Sequence, residues 1–153
     1  AMSGGLELAL ACDLRFCTPN AVFALQDVKW GFHACDGGLV RLPWIVGLGH
    51  AMEMFLSGDR FDADWAMRTG LVNRVIPAER LVEESLTYAA KLASRAPLAQ
   101  RLGKEALLRA LGRPLEDGLR LESRSFHDLG ATDDLAEGTR AFREKRDAEF
   151  RGR

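Results

Sequence analysis

A carboxylic acid near the start of the chain follows a pair of glycines closely enough to support acid–base chemistry. Gly4 and Gly5 open an apolar run that contains Glu7. The run is rich in leucine and alanine and lacks β-branched residues, so it predicts a short helix. The glycines would let a ligand approach the N–H groups at the helix start, which can hold an anion or a developing oxyanion. Glu7 should be largely buried among leucines, and a carboxyl group beside an oxyanion site is suited to proton transfer.

The same spacing permits a purely structural role for this carboxylate. With Gly4 as the N-cap, Glu7 would stand at the third helical position and reach back to a backbone N–H, as in a capping box. Spacing alone does not decide between capping and catalysis.

A second acidic residue, Asp27, directly follows a predicted strand. Its structural interpretation, which sequence position alone favours, is a residue that ends the strand or caps a turn. Its functional interpretation is a second carboxylate that faces Glu7. Two carboxylates in different surroundings can divide the roles of acid and base.

The loop after Asp27 is rich in glycine and contains a thiol. His33 and Cys35 are two positions apart on the chain, so their side chains would run parallel rather than meet. A nucleophilic pair is therefore disfavoured, and a packed thiol is expected for Cys35. Gly37 and Gly38 would either admit a ligand to the backbone or form a turn before a helix.

Other polar residues lie in predicted helices. His50 and His127 are isolated and are expected at the surface or in packing contacts rather than as ligands. Lys145 and Arg146 are expected to form a solvated helix end that suits the helix dipole, or else to contact a phosphate.

Composition excludes several classes of function. The chain has 153 residues, of which 47% are hydrophobic and 28% charged, with a net charge of −1. Such a sequence is typical of a globular protein and offers no electrostatic attraction to nucleic acid or an anionic membrane. Its three cysteines lack metal-ligand spacing, so a reducing, cytoplasmic location is expected. No apolar stretch is long enough to span a bilayer.

The chain divides in character near residue 76. Residues 1–76 predict a mixed α/β region, and residues 77–153 predict helices only. In the first region Asp62 is expected to cap a helix over 63–69 that stops at Gly70. The other predicted elements there are strands at 13–17, 21–25 and 71–76 and helices at 39–46 and 48–56. In the second region the predicted helices start at Pro77, Pro97, Pro114 and near Asp133.

Taken together, these motifs resemble those of the crotonase superfamily, the enoyl-CoA hydratases and isomerases. The stretch from Gly4 to Asp13 is similar to the family's glycine-glycine-x-glutamate-leucine-alanine…cysteine-aspartate motif. Further matches follow in order and at the family's spacing, at residues 37–43, 56–60, 66–72 and 142–146. The resemblance covers essentially the whole chain. It implies that a family N-terminal portion, with much of the coenzyme A surface and the other oxyanion N–H, would precede Ala1.

The resemblance implies an α/β fold: part of the crotonase-like ββα spiral, followed by a C-terminal helical region for trimerisation that also covers the coenzyme A. It further implies roles for individual residues. Gly4 would supply one N–H of the oxyanion hole, Glu7 would be the first catalytic glutamate, and Asp27 would stand at the second. The residues assigned to substrate binding are Gly5, Cys35, Gly38, Phe142 and Lys145.

The function implied is addition of water to a 2-enoyl-CoA thioester, with coenzyme A as part of the substrate and neither a separate cofactor nor a metal. A homotrimer or hexamer is expected. The chain departs from the family pattern at Ser3, Asp27 and Cys35, where hydratases have glycine, glutamate and glycine. The alternatives are another reaction of the superfamily, such as double-bond isomerisation or decarboxylation, or a catalytically silent subunit.

Overall fold

The helix predicted around Glu7 is confirmed in the computed structural model, which describes residues 1–153. Helix α1 spans Gly4–Ala11, and Leu6 and Leu10 bury the same face of it. This spacing of four residues places the two leucines one above the other. They join a core with Leu42 and other apolar residues, and burial of each such side chain stabilises the fold by about 2 kcal/mol. Glu7 lies between the two leucines in the chain and is carried into the interior with them.

The chain forms two units, residues 1–86 and 87–153. The boundary falls within helix α5 (Leu81–Ala93), whereas the change in sequence character lies at residue 76.

Beyond α1, the first unit contains three complete helices, the first residues of α5 and four very short strands. The helices are α2 (Gly38–Val46), α3 (Leu48–Ser57) and α4 (Ala63–Arg68), and a 3₁₀ turn covers Asp27–Trp30. The strands are β1 (Phe16–Cys17), β2 (Val22–Phe23), β3 (Phe61–Asp62) and β4 (Arg74–Val75). β1 pairs with β4 in parallel, and β2 pairs with β3 antiparallel. The strand predictions were wrong in length, because only two residues of each segment find a partner strand.

Two local predictions in the first unit are confirmed. Asp62 caps α4, since its Oδ1 accepts a hydrogen bond of 2.8 Å from the Trp65 N–H. Gly70 follows this helix with φ of 78°, a left-handed conformation that glycine adopts without steric penalty. Both the Asp62 cap and the turn at Gly70 are determined by residues close by in the sequence, which is why the sequence predicted them.

Ser3, the residue before α1, adopts a strained backbone. Its φ of 46° and ψ of −120° lie in a region that only glycine enters readily. The Ser3 hydroxyl accepts a hydrogen bond of 3.3 Å from the Gln26 N–H, which offsets part of the strain. The serine therefore stands at a position whose conformation favours glycine.

We expect Ser3→Gly to stabilise the protein by about 1 kcal/mol, because relief of backbone strain outweighs the weak hydrogen bond and the greater flexibility of unfolded glycine. Thermal unfolding should show a rise in Tm of roughly 4 °C. Ser123→Gly, at an exposed position within α7 (Leu115–Leu129), is the matched control and should lower Tm. An equal fall in Tm for Ser3→Gly and Ser123→Gly would contradict the claim that the backbone at Ser3 is strained.

The second unit is helical, as predicted. It contains α6 (Pro97–Ala110), α7 (Leu115–Leu129) and α8 (Asp133–Glu144). No residue of α6 or α7 is buried. Small and apolar side chains of these two helices line a groove of about 490 Å³, among them Gly103, Ala106, Leu107, Leu115, Leu119 and Phe126. None of the helices combines the length and the apolar composition that a membrane-spanning segment needs.

Two carboxylates of α8 hold the last residues of the chain. Asp134 is buried and accepts hydrogen bonds from the N–H groups of Arg151 (2.7 Å) and Gly152 (2.9 Å). Glu137 accepts from Arg146 at 2.6 Å and from the Glu149 N–H at 3.1 Å. Arg146, together with that N–H, holds the pKa of Glu137 well below its usual range. Arg146 is exposed, in agreement with a solvated position, but the sequence did not reveal the acidic partner nine positions away that binds it.

Candidate active site

The carboxylate of Glu7 is anchored through only one of its two oxygens. Glu7 is 3% exposed, and its Oε1 accepts hydrogen bonds of 2.8 Å from the N–H groups of Asp36 and Gly38. No group of the chain donates to Oε2. The capping-box interpretation is therefore wrong: Ser3, not Gly4, occupies the N-cap position, and the carboxylate binds a distant loop instead of its own helix start.

The anchoring loop is shaped by paired glycines that precede α2. Gly37 has φ of 97°, which turns the chain so that α2 begins at Gly38 with its N–H directed at Glu7. A carboxylate at a helix N-terminus is also favoured by the helix dipole. A Cβ on Gly38 would lie 2.9 Å from Cγ and Oε1 of Glu7, so only glycine fits against this side chain.

The N–H groups at the start of α1 differ in availability. Gly5 donates to the Met2 carbonyl at 2.9 Å, whereas the Gly4 N–H has no acceptor within the chain. Both glycines are exposed, and a Cβ at either would meet no atom within 4 Å. Neither packing nor a positive φ demands glycine at these positions. Open backbone with one free N–H can supply one of the donors of an oxyanion hole.

Asp27 is buried without full hydrogen bonding. It is 8% exposed, and its Oδ2 is a buried oxygen without a hydrogen-bond partner. An unpaired buried carboxylate oxygen costs stability and persists mainly where function uses it. Asp27 does begin a turn, the 3₁₀ segment up to Trp30, so the structural interpretation describes its backbone but not its unpaired oxygen.

Backbone contacts bring Asp27 to the same end of α1 as Gly4. The Ser3 N–H donates to the Ala24 carbonyl at 2.8 Å, and the Gln26 N–H donates to the Ser3 hydroxyl. Asp27 follows Gln26 directly, so its Cα lies beside the residues that lead into α1. No hydrogen bond joins its carboxylate to that of Glu7.

Cys35 is exposed, so the expectation of a packed thiol is wrong. It directly precedes Asp36, whose N–H binds Glu7, and it therefore borders the anchored carboxylate. The His33 Nδ1 lies 2.9 Å from the Ala34 carbonyl, and no contact links it to the thiol. Burial raises the pKa of another thiol, that of Cys17, which makes it the least reactive kind of cysteine.

Phe142 and Lys145 belong to the second unit. The Phe142 side chain is 86% exposed near the end of α8. Lys145 ends this helix in a left-handed conformation, with φ of 55°, and is also exposed. Both side chains are free to contact a ligand.

Two features of the site were not predicted. The Asp36 N–H has no sequence signal of its own, since a backbone donor is independent of residue type. The second is Arg41, whose Nη1 donates to the Asp36 carbonyl at 2.9 Å; the motif match at residues 37–43 includes this residue but gives it no role. The Gly37–Gly38 pair was the only available signal that backbone N–H groups are used here.

The site has the parts of an acid–base catalyst for a carbonyl substrate: a half-anchored carboxylate, a second buried carboxylate and a free N–H at a helix start. No group of three or more histidine, cysteine or acidic side chains is placed to hold a metal ion.

Comparison with known proteins shows the family. The enoyl-CoA hydratase/isomerase family matches residues 1–153, and the chain belongs to it. A probable enoyl-CoA hydratase of Rhizobium meliloti is 43% identical over 153 residues, which are 100% of this chain and 60% of that protein. The mitochondrial enoyl-CoA hydratase of Pongo abelii is 40% identical over 151 residues, 99% of this chain and 52% of that protein.

A solved structure shows the same fold. The crystal structure of enoyl-CoA hydratase subunit I from Geobacillus kaustophilus has a TM-score of 0.95 and 41% identity, covering 100% of this chain and 60% of that one. The predicted α/β class and crotonase-like fold are thus confirmed. The chain spans between half and two thirds of the length of these relatives.

Proposed function

We propose that the protein hydrates 2-enoyl-CoA thioesters, with Glu7 and Asp27 as the catalytic carboxylates and the Gly4 N–H as a donor to the thioester oxygen. The observation that carries this proposal is the asymmetric anchoring of Glu7. Because Oε1 accepts both N–H groups, the carboxylate is fixed in orientation while Oε2 remains free to exchange a proton. The names of the relatives, which are enoyl-CoA hydratases, support the same reaction.

The reaction follows from these positions. A water molecule held by the two carboxylates forms a bond from its oxygen to C3 of the substrate, and Oε2 of Glu7 takes a proton from it. The electron pair of the double bond moves toward the thioester oxygen, which the Gly4 N–H stabilises as charge develops. Return of that proton from Oε2 of Glu7 to C2 completes the addition and restores the carboxylate. We assign Gly5, Cys35 and Gly38 to the approach to the reacting carbons. Phe142 and Lys145 of the second unit are assigned to the coenzyme A portion of a substrate bound by a neighbouring subunit.

The experiment that tests this function is a turnover assay with crotonyl-CoA, in which the loss of the enoyl thioester absorbance monitors the reaction. A parallel assay uses a 3-enoyl-CoA substrate. Hydration of crotonyl-CoA is the expected result. Isomerisation of the 3-enoyl substrate without hydration would assign the protein to another reaction of the family. Absence of both reactions together with absence of coenzyme A binding would indicate a catalytically silent chain.

Replacement of Asp27 is expected to change stability and activity in opposite directions. Asp27→Asn removes a buried charge whose Oδ2 has no partner, so the free energy of unfolding should rise by about 1 kcal/mol. Hydration should slow roughly tenfold, since a neutral amide oxygen accepts a weaker hydrogen bond from the water than a carboxylate does and holds it less firmly. Denaturant unfolding and steady-state kinetics measure the two effects. A destabilised variant with full activity would show that Asp27 has only a structural role.

Assembly as a homotrimer or hexamer is a further part of the proposal. Support comes from the second unit, where Leu107, Leu115 and Phe126 remain exposed along the α6–α7 groove. Sedimentation velocity of the protein would measure the mass of the assembly. The three free cysteines support a reducing compartment such as the cytoplasm.

A further inference from the structure

The guanidinium of Arg41 lies against the loop that anchors Glu7. Its Nη1 donates to the Asp36 carbonyl at 2.9 Å. A Cβ on Gly37 would lie 2.8 Å from the Arg41 Cζ and nearer still to Nη1, so the guanidinium covers the space that glycine leaves open. Arg41 is in the first turn of α2, and its own N–H donates to the Gly37 carbonyl at 2.9 Å. Side chain and backbone of one residue therefore hold two successive carbonyls of the loop.

The position of these contacts relative to Glu7 is informative. Three successive peptide groups form the loop between Cys35 and Gly38. The first supplies the Asp36 N–H and the third supplies the Gly38 N–H, both bound to Oε1 of Glu7. The middle peptide supplies the Asp36 carbonyl that Arg41 holds. A shift of the middle peptide would move the Cα atoms of Asp36 and Gly37 and with them the two neighbouring peptides, and so would disrupt both hydrogen bonds to the carboxylate.

We propose that Arg41 is a positioning residue: by fixing the middle peptide it keeps both N–H donors directed at Oε1, and so sets the direction of the free oxygen of Glu7. This inference rests on the proposed function for its effect on catalysis. The hold on the loop itself is independent of which reaction Glu7 performs. Misplacement of a reacting group by a fraction of an ångström is sufficient to slow a reaction strongly.

The test compares Arg41→Met, which keeps the aliphatic stem but removes every donor, with Arg41→Lys, which keeps a cation and one donor to the carbonyl. Arg68→Met, at an exposed position on α4, is the matched control. In Arg41→Met, amide hydrogen exchange at Asp36 and Gly38 should accelerate about tenfold while Tm stays nearly constant. The kcat for hydration should fall roughly tenfold with KM changed by less than about twofold. Arg41→Lys should show smaller changes in amide exchange and in kcat than Arg41→Met, and Arg68→Met should change neither quantity.

A double variant separates positioning from direct participation. If Arg41 acts through Glu7, then Arg41→Met should reduce the rate no further in a Glu7→Gln background. Three results would overturn the proposal. The first is an equal loss of rate on Arg41→Met substitution in the Glu7→Gln background. The others are a rise in KM alone and unchanged hydrogen exchange at the Asp36 and Gly38 amides. If the unmodified protein fails to hydrate enoyl-CoA, the proposed function fails, and the exchange of the two amides still decides whether Arg41 holds the loop.

Discussion

Replacement of Glu7 by glutamine is expected to lower kcat for hydration of crotonyl-CoA by about 10³-fold, the contribution typical of a positioned acid–base group. The fold should tolerate the change. Because both N–H donors bind Oε1, the amide carbonyl of glutamine accepts the same two hydrogen bonds, and its NH₂ takes the place of Oε2. The variant therefore removes basicity while it preserves shape. Steady-state kinetics and thermal unfolding measure the two consequences separately.

Glu83→Gln is the matched control for this change, because Glu83 is an exposed glutamate on α5. It should leave both rate and Tm unaltered. An unchanged hydration rate in Glu7→Gln would remove Glu7 from the reaction. A large fall in Tm would instead mean that the charge of the carboxylate, and not only its shape, holds the loop at the start of α2.

Replacement of Gly38 by alanine is expected to reduce the hydration rate by about 10²-fold, the scale associated with displacement of a reacting group by about an ångström. The added methyl group would lie 2.9 Å from both Cγ and Oε1 of Glu7, closer than such atoms approach. Since Glu7 is buried, its side chain has little room to withdraw, and the carboxylate must turn away from its N–H donors. The loss should appear in kcat, which steady-state kinetics with crotonyl-CoA measures.

Gly49→Ala provides the comparison for this variant. Gly49 also lies in the first turn of a helix, α3, and a Cβ there meets no atom within 4 Å. The same substitution should be neutral or stabilising at that position. If Gly38→Ala retained full activity, the close contact between residue 38 and the carboxylate would have no catalytic significance.

The parts of the structure that sequence predicted are those decided by near neighbours. The helix around Glu7 follows from leucine and alanine content, and the Asp62 cap follows from the spacing between a carboxylate and an N–H three residues later. The resemblance to a family added the candidate residues of the site and the fold class. Each of these features is encoded within a short stretch or in a recurring motif.

The parts that sequence could not decide depend on distant partners. Whether Glu7 caps its helix or binds elsewhere is settled by N–H groups 29 and 31 residues away, which no local pattern reveals. The strands are shorter than predicted because a strand extends only where a distant segment pairs with it, as Arg74 does with Phe16. The contacts of Arg146 also depend on a residue outside its local sequence, since Glu137 of the preceding helix binds it. The unpaired oxygen of Asp27 also needed coordinates, because burial of a polar atom is a property of the packed chain.

The anchoring of Glu7 by backbone amides has an evolutionary consequence. Position 36 contributes its main chain to the site, and the Asp36 side chain is exposed, so its identity is free to drift while the hydrogen bond is inherited unchanged. Gly38 has no such freedom, since its lack of a side chain is what the neighbouring carboxylate requires. Positions 36 and 38, which are separated by one residue, are thus expected to be under different selection, although both bind the same carboxylate oxygen. Proteins that share this arrangement would be recognised by the glycine and not by any acidic or polar residue beside it.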